Sequence, residues 1–457
     1  MAKTLRLHRR SMLAVVVVCL AATAAESQPP LEDWPPPGRE RGGGPPDFAS
    51  PRFARSDDMN ILIDAWATLE QGRRTFRYDN FGNEVFWGGE LGLHEAIAGA
   101  ANGGVGPGVS PAMALELGLK VDVEALPGSL VRDLRRGRVD LDDPAVTIAL
   151  LSLDAVVGVR GFFENERLTS IGITCALCHS TVDDSFGPGI GRRLDGWANR
   201  DLDVGKIIAA APSLDPFVQL LGLDADSIRA ALESWGPGKF DAHLILDGKS
   251  QPVMIPPAFG LAGVNLHTSL GWGSVTHWNA FVAVLEMQGQ GTFYDPRLND
   301  PTQYPVAARN GLFEVRPDED LVTSKLGPLH LYQLAISAPR PPKGSFDRAA
   351  AKRGEAIFND KARCAQCHVP PLFTEPGWNM HRFDEIGIDR SHAERGPEQE
   401  YYRTTPLSGL WTHTRGGFYH DGRFATLEDV VAHYDGVFGL GLSSAEKADL
   451  IEYLKSL

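Results

Sequence analysis

The sequence predicts a mostly α-helical protein with long loops, in which two small domains each close around a Cys-x-x-Cys-His pentapeptide. Three observations predict it. Cys175-Ala176-Leu177-Cys178-His179 and Cys364-Ala365-Gln366-Cys367-His368 repeat one pattern. Helix-start residues and apolar positions at helical spacing surround the second copy. Gly 49 and Pro 32 among 457 residues divide the remainder into turns and loops. C-x-x-C-H is the attachment pattern of c-type haem. Two thiols add across the porphyrin vinyl groups, and the following imidazole binds the iron from below. The expected fold is therefore two c-type cytochrome-like haem domains with long loops, plus an N-terminal extension of unknown fold.

Taken in order, residues 1–25 read as a signal peptide. Lys3, Arg6, Arg9 and Arg10 precede the apolar run Met12 to Leu20, and Ala22-Thr23-Ala24 is an A-x-A-like cleavage site. The run is too short to span a bilayer, and no other segment is apolar for 18 residues. Residues 26–58, with Pro35-Pro36-Pro37 and Gly42-Gly43-Gly44, read as a flexible leader. Residues 59–338 form the region of the first haem motif. Helices are expected at Met59 to Leu69, Asp143 to Val157, parts of Asp203 to Leu221, Asp226 to Ser234, the later part of Gly271 to Met287, and Asp320 to Ser337. His243 to Leu246 and Pro252 to Ile255 read as a short strand pair. The Pro-rich stretch Ala338 to Gly344 separates the second domain, residues 345–457. There Asp347 precedes a helix, Arg348 to Phe358, that leads into the second motif. Thr426 and Ser443 or Ser444 cap two further helices.

Cysteine usage narrows the chemistry. Of five cysteines, Cys19 lies in the apolar run and the other four belong to the two motifs, so none remains for a structural disulfide. A structural zinc site needs four ligands, whereas each Cys pair here is followed at once by His. Cys175, Cys178, His179, Cys364, Cys367 and His368 are therefore read as holding two covalent haem c groups, with His179 and His368 as iron ligands. Covalent haem c is assembled outside the cytoplasm, which agrees with export to the periplasm or beyond. The formal charge is -14; without residues 1–25 it is -18, from 40 basic and 58 acidic residues. That surface argues against nucleic acid and suits a soluble protein that meets a basic partner.

The sixth iron position separates an enzyme from an electron carrier. For the first haem, no His or Met follows His179 until His243. Either a remote residue closes the site (His243, Met254, His267, His277 or Met287) or it is open. For the second haem, Met380, His381, His392, His413, His420, His433 and Tyr434 follow the motif. Leu427, Val430, Val431 and Tyr434 share one helix face. By the residues alone, Tyr434 reads as a core tyrosine.

Arg403-Thr404-Thr405-Pro406-Leu407 and Phe418-Tyr419-His420-Asp421-Gly422-Arg423-Phe424-Ala425-Thr426-Leu427-Glu428, together with two C-x-x-C-H motifs, resemble the bacterial diheme cytochrome c peroxidases and their MauG-type relatives. The resemblance covers residues 345–457 well and 165–300 loosely. It implies a first haem that binds peroxide or dioxygen and a second that stores or relays electrons. It implies Tyr434 as a metal ligand of the second haem, as in MauG-type enzymes, where peroxidases have Met. It carries Trp278 over as a bridge for electron transfer, and Gln288 or Glu286 as the distal acid–base group. Read as residues only, these three are packing and surface positions on a helix. The family commonly holds calcium between its haems; the carbonyl ligands would fall near Arg415 and Gly417, and the usual T-x-P is absent.

The function expected is an exported, peroxide-dependent diheme oxidoreductase. Its partners would be hydrogen peroxide or dioxygen and a small electron-donor protein or an organic or protein substrate. A dioxygen-using oxygenase of the rubber-oxygenase kind and a non-enzymatic diheme electron carrier are the alternatives.

Overall fold

Among the described residues, short helices are joined by long loops, with six two-stranded sheets pinned between them. The structure is a computed structural model that describes residues 57–457. The segment expected to be a signal peptide and nearly all of the expected leader lie outside the described residues; Asp57 and Asp58 open the first helix, Asp57–Tyr78. Contacts divide the chain into Met1–Thr68 and Leu69–Leu457. Of the first unit, the described part is the opening of that helix. Among the described residues, no helix is long and apolar enough to cross a membrane.

Within Leu69–Leu457 the expected helices form with local differences. Asp143 caps a helix, Pro144–Ser152, which stops short of the predicted end at Val157. A hairpin follows, Val159–Glu164 against Arg167–Ile173, and it delivers the chain to the first motif. Gly158 permits the close approach. Its φ is +80°, and a Cβ there would collide with the backbone of Leu177, inside the motif. The stretch Asp203 to Leu221 splits into Val204–Ala209 and Asp215–Leu221 around Pro212. The strand pair expected over 243–255 is corrected. Leu244–Asp247 is one helical turn, and Val253–Met254 pairs instead with Lys239–Phe240. Asp241 fixes the turn by accepting from the His243 and Gln251 amides, so the chain cannot extend there.

The C-terminal part follows its local signals closely. Asp347 caps Arg348–Asn359. Thr426 with Asp429, and Ser443 with Glu446, form capping boxes on Leu427–Phe438 and Ser444–Lys455. Gly354 lets the first and last of these helices touch, because a Cβ there would strike the Asp449 carbonyl. Phe358, Val431, Leu450, Ile451, Tyr453 and Leu454 fill the core between the three helices, and Cys364 packs against its edge. Arg395 joins this part to the rest. Its buried guanidinium is held by Asp247, Asp241 and the carbonyls of Lys249 and Gln251.

Candidate haem-binding site

Both pentapeptides adopt the same tight turn. The His179 amide bonds the Cys175 carbonyl at 3.2 Å, and the His368 amide bonds the Cys364 carbonyl at 2.8 Å. This i to i+4 closure puts two thiols and one imidazole on a single turn. All four cysteines are free thiols. Burial pushes Cys175 and Cys178 up to about 12 and Cys364 up to about 11, so they are held as thiols rather than thiolates.

The two histidines are prepared alike. Nδ1 of His179 lies 3.0 Å from the Pro256 carbonyl, and Nδ1 of His368 lies 3.0 Å from the Phe373 carbonyl. A carbonyl partner fixes Nδ1 as the protonated nitrogen and leaves Nε2 for iron. Burial lowers His179 to about 4 and lowers His368 as well, so both rings are neutral and ready to ligate.

One cavity of about 780 Å³ runs past both motifs. Its wall includes Cys175, Cys178 and His179 at one end and Cys364, Cys367 and His368 at the other. The remaining wall is largely aliphatic, as the face of a porphyrin requires. Two buried cations break that pattern. Arg200 has Nε and one terminal nitrogen buried without a hydrogen-bond partner, and Arg403 has one terminal nitrogen in the same state. Burial lowers both to about 10. Buried guanidinium N–H groups without acceptors are costly unless an anion meets them. The propionate carboxylates of haem are anions of that kind, so the donor set fits two haem c groups. In the sequence Arg403 stands only as part of a longer motif, and Arg200 carries no signal of its own. Their unpaired state comes from tertiary burial, which no local pattern shows.

Trp278 and Glu286 both line the cavity. Ser274 caps the helix Val275–Phe281, on which Trp278 stacks against Phe281 at 4.8 Å and 10°. A π turn, Val282–Glu286, continues it. Regular α spacing would leave Glu286 about 80° around the helix from Trp278. The wider π turn swings it onto the cavity face, beside Val282. One carboxylate oxygen of Glu286 is buried without a hydrogen-bond partner. Burial lifts its pKa well above the usual value, and Asp241 adds to the rise. Cys178 of the first motif lines the same cavity. Gln288 is placed differently. It is not part of the cavity wall, its φ is +60°, and its amide donates to the Leu285 carbonyl.

At the second motif, Tyr434 lines the cavity with Leu427, Val430 and Val431 from the same helix. Burial raises its pKa, an effect that the Tyr419 hydroxyl partly offsets and that Cys364 and Cys367 enhance. Met380 and His433 are not in the wall. His381 is in the wall with both nitrogens engaged, by Glu375 at 2.7 Å and Glu385 at 3.0 Å. His413 bonds Arg200, His420 faces Asp389, and His392 bonds Ser269. For the first haem, His243 accepts from Trp272 at 2.9 Å, and His277 pairs with Asp295 away from the cavity. His267, Met254 and Met287 are in the wall. Near the stretch implied for calcium, the Arg415 guanidinium pairs with Asp201. The Asp389, His420 and Asp421 cluster is bridged by the Arg423 guanidinium.

Comparison with known proteins follows the same chemistry. No family model matches the chain. It is similar to the methylamine utilization protein MauG of Methylophilus methylotrophus, 31% identical over 129 residues, covering 24% of this chain and 36% of that protein. It is similar to MauG of Methylorubrum extorquens, 25% identical over 223 residues, covering 41% and 62%. The cytochrome-c peroxidase IdrP1 of Denitromonas iodatirespirans is 27% identical over 225 residues, covering 37% and 58%. The chain thus spans between 36% and 62% of the length of these relatives. Among solved structures, a Kuenenia stuttgartiensis hydrazine synthase chain aligns with a TM-score of 0.30 at 18% identity, covering 46% of this chain and 74% of that one. A MauG-like protein associated with microbial copper homeostasis aligns with a TM-score of 0.24 at 20% identity, covering 29% and 56%.

Proposed function

We propose that this chain is an exported diheme c-type oxidoreductase that reduces peroxide at its first haem and relays electrons through its second. The observation that carries the reading is the asymmetry of the shared cavity. A carboxyl with one buried, unpartnered oxygen, Glu286, lines the cavity that the first motif shares, and a tyrosine, Tyr434, lines it on the helix beside the second. Similarity to MauG and to cytochrome-c peroxidases supports the same chemistry.

Haem at each motif supplies an iron that takes up and passes on single electrons, and at the first motif one that can bind peroxide. The chain's own groups do the rest. Cys175 and Cys178 would anchor the first haem, and His179, oriented by the Pro256 carbonyl, would bind its iron. Burial lifts the pKa of Glu286 well above the ordinary carboxyl value, so it is the group suited to hold a proton here. It gives that proton to the departing oxygen of peroxide, and the aliphatic wall keeps bulk water from competing. Peroxide reduction consumes two electrons and two protons and yields two waters; an external donor supplies the electrons. Trp278, on the cavity wall and stacked on the buried Phe281 ring, would be the bridge toward the second haem. Cys364, Cys367 and His368 would hold that haem, and Tyr434 would supply a further ligand to its iron. Arg200 and Arg403 would meet the propionates. Export is supported by the basic and apolar N-terminal sequence and by the need for haem attachment outside the cytoplasm.

The test is peroxide consumption by the haem-loaded chain in the presence of a reduced small electron donor. The reading predicts turnover that is inhibited by cyanide and abolished by Cys175→Ala with Cys178→Ala. A chain with both haems attached that neither consumes peroxide nor binds cyanide is an electron carrier, and the proposal fails.

A further inference from the structure

We propose that Tyr419 is a positioning residue for the second haem, whose hydroxyl donates a hydrogen bond to the Tyr434 oxygen and sets how strongly that oxygen binds iron. The inference rests on the reading of Tyr434 as sixth ligand.

Tyr419 is held in an unusual state. Its φ is +70°, the left-handed region that a bulky side chain rarely adopts. Such strain persists only where the surroundings impose it, and it concentrates at functional sites. The ring is clamped on three sides. Phe424 meets it edge-on at 4.8 Å, His433 edge-on at 5.7 Å, and Tyr434 lies 6.0 Å away at 34°. The hydroxyl at the end of this fixed ring is buried and has no hydrogen-bond partner of full geometry. Both tyrosines line the haem cavity.

A phenylalanine would satisfy the packing. The hydroxyl therefore needs its own explanation, since a buried O–H without an acceptor is destabilising. The group it acts on is Tyr434. Its ring lies 6.0 Å from that of Tyr419, and both line the same cavity. A neutral Tyr434 is a modest acceptor. A phenolate on iron is a strong one, because a hydrogen bond to an ionised oxygen is shorter and stronger. The unsatisfied donor is thus a preformed partner for Tyr434 in its ligating state.

The consequence is electronic. A phenolate favours ferric iron. A hydrogen bond to its oxygen withdraws electron density and moderates that preference. Removing the bond makes the phenolate a stronger donor and lowers the midpoint potential of that haem. One charge-assisted bond corresponds to about a tenfold change in the ferric-to-ferrous equilibrium, or about 59 mV for one electron.

The experiment is a spectroelectrochemical titration of the haem-loaded full chain, with resonance Raman in H₂O and D₂O, for wild type, Tyr419→Phe and Tyr434→Phe. The inference expects Tyr434→Phe to change the ligation of one haem. It expects Tyr419→Phe to keep that ligation, to lower the same haem's potential by the tenfold equivalent, and to abolish the D₂O shift of its iron–phenolate stretch. If Tyr434→Phe changes ligation but Tyr419→Phe leaves potential and isotope shift as in wild type, the role of Tyr419 is refuted and Tyr434 stands. If Tyr434→Phe leaves both haems unchanged, the ligand reading falls and takes the inference with it.

Discussion

Glu286→Gln is the substitution that interrogates the reaction site most sharply. Glutamine keeps the volume and one carbonyl oxygen, so the cavity wall stays filled, but it holds no transferable proton at neutral pH. A positioned general acid contributes about 10²- to 10⁴-fold. At 1.36 kcal/mol per decade that is a barrier change of about 3–5 kcal/mol. The variant should therefore lose about two to four decades of peroxide turnover while keeping both haems. Stability supplies a second readout with a definite sign. The folded pKa of Glu286 lies well above its ordinary 4.5. Such a carboxyl costs nothing below its unfolded pKa, and its cost grows as pH rises toward the folded value, by about 1.36 kcal/mol per pH unit. Glutamine removes that cost, so the variant should gain stability over wild type progressively as pH rises above the ordinary carboxyl value of 4.5. The assays are stopped-flow peroxide consumption and denaturant unfolding, both across that range. Turnover at the wild-type rate with both haems present would refute the assignment of Glu286 as the acid. A stability difference that stays flat with pH would refute its being buried and protonated.

Three further outcomes are expected. Cys364→Ala with Cys367→Ala should leave one covalent haem by intact-protein mass spectrometry, where wild type carries two. Arg395→Met should destabilise by about 3–5 kcal/mol in denaturant unfolding, because Asp241 and Asp247 are left buried without their cation; adding Asp241→Asn and Asp247→Asn should recover part of the loss. Trp278→Phe should slow electron exchange between the haems in rapid-mixing spectra while leaving the two resting spectra unchanged.

What the sequence displayed was the part governed by local rules. The two pentapeptides, the capped helices of the C-terminal domain and the inward face of Tyr434 depend on spacing within a few turns, and they stand where that spacing puts them. The hairpin before the first motif was not legible, because Ala155 to Val159 is as apolar as the helix preceding it, and it is the tertiary contact at Gly158 that turns the chain. The turn at Leu244–Asp247 has strand-like composition, but the Asp241 carboxylate captures the His243 and Gln251 amides on either side of it. Between Glu286 and Gln288, counting at helical period could not decide. The π turn shifts the register there, and such a turn leaves no mark in composition. Arg200 and Arg403 were visible as residues but not as unpaired cations, since their isolation is a property of the folded cavity.

The central claim is that one cavity holds two unlike haems, the first open opposite His179 and the second closed by Tyr434. Electron paramagnetic resonance of the oxidised, haem-loaded chain tests it most directly. The account predicts one high-spin and one low-spin ferric signal, with cyanide converting only the high-spin one. Two low-spin signals that ignore cyanide would contradict it.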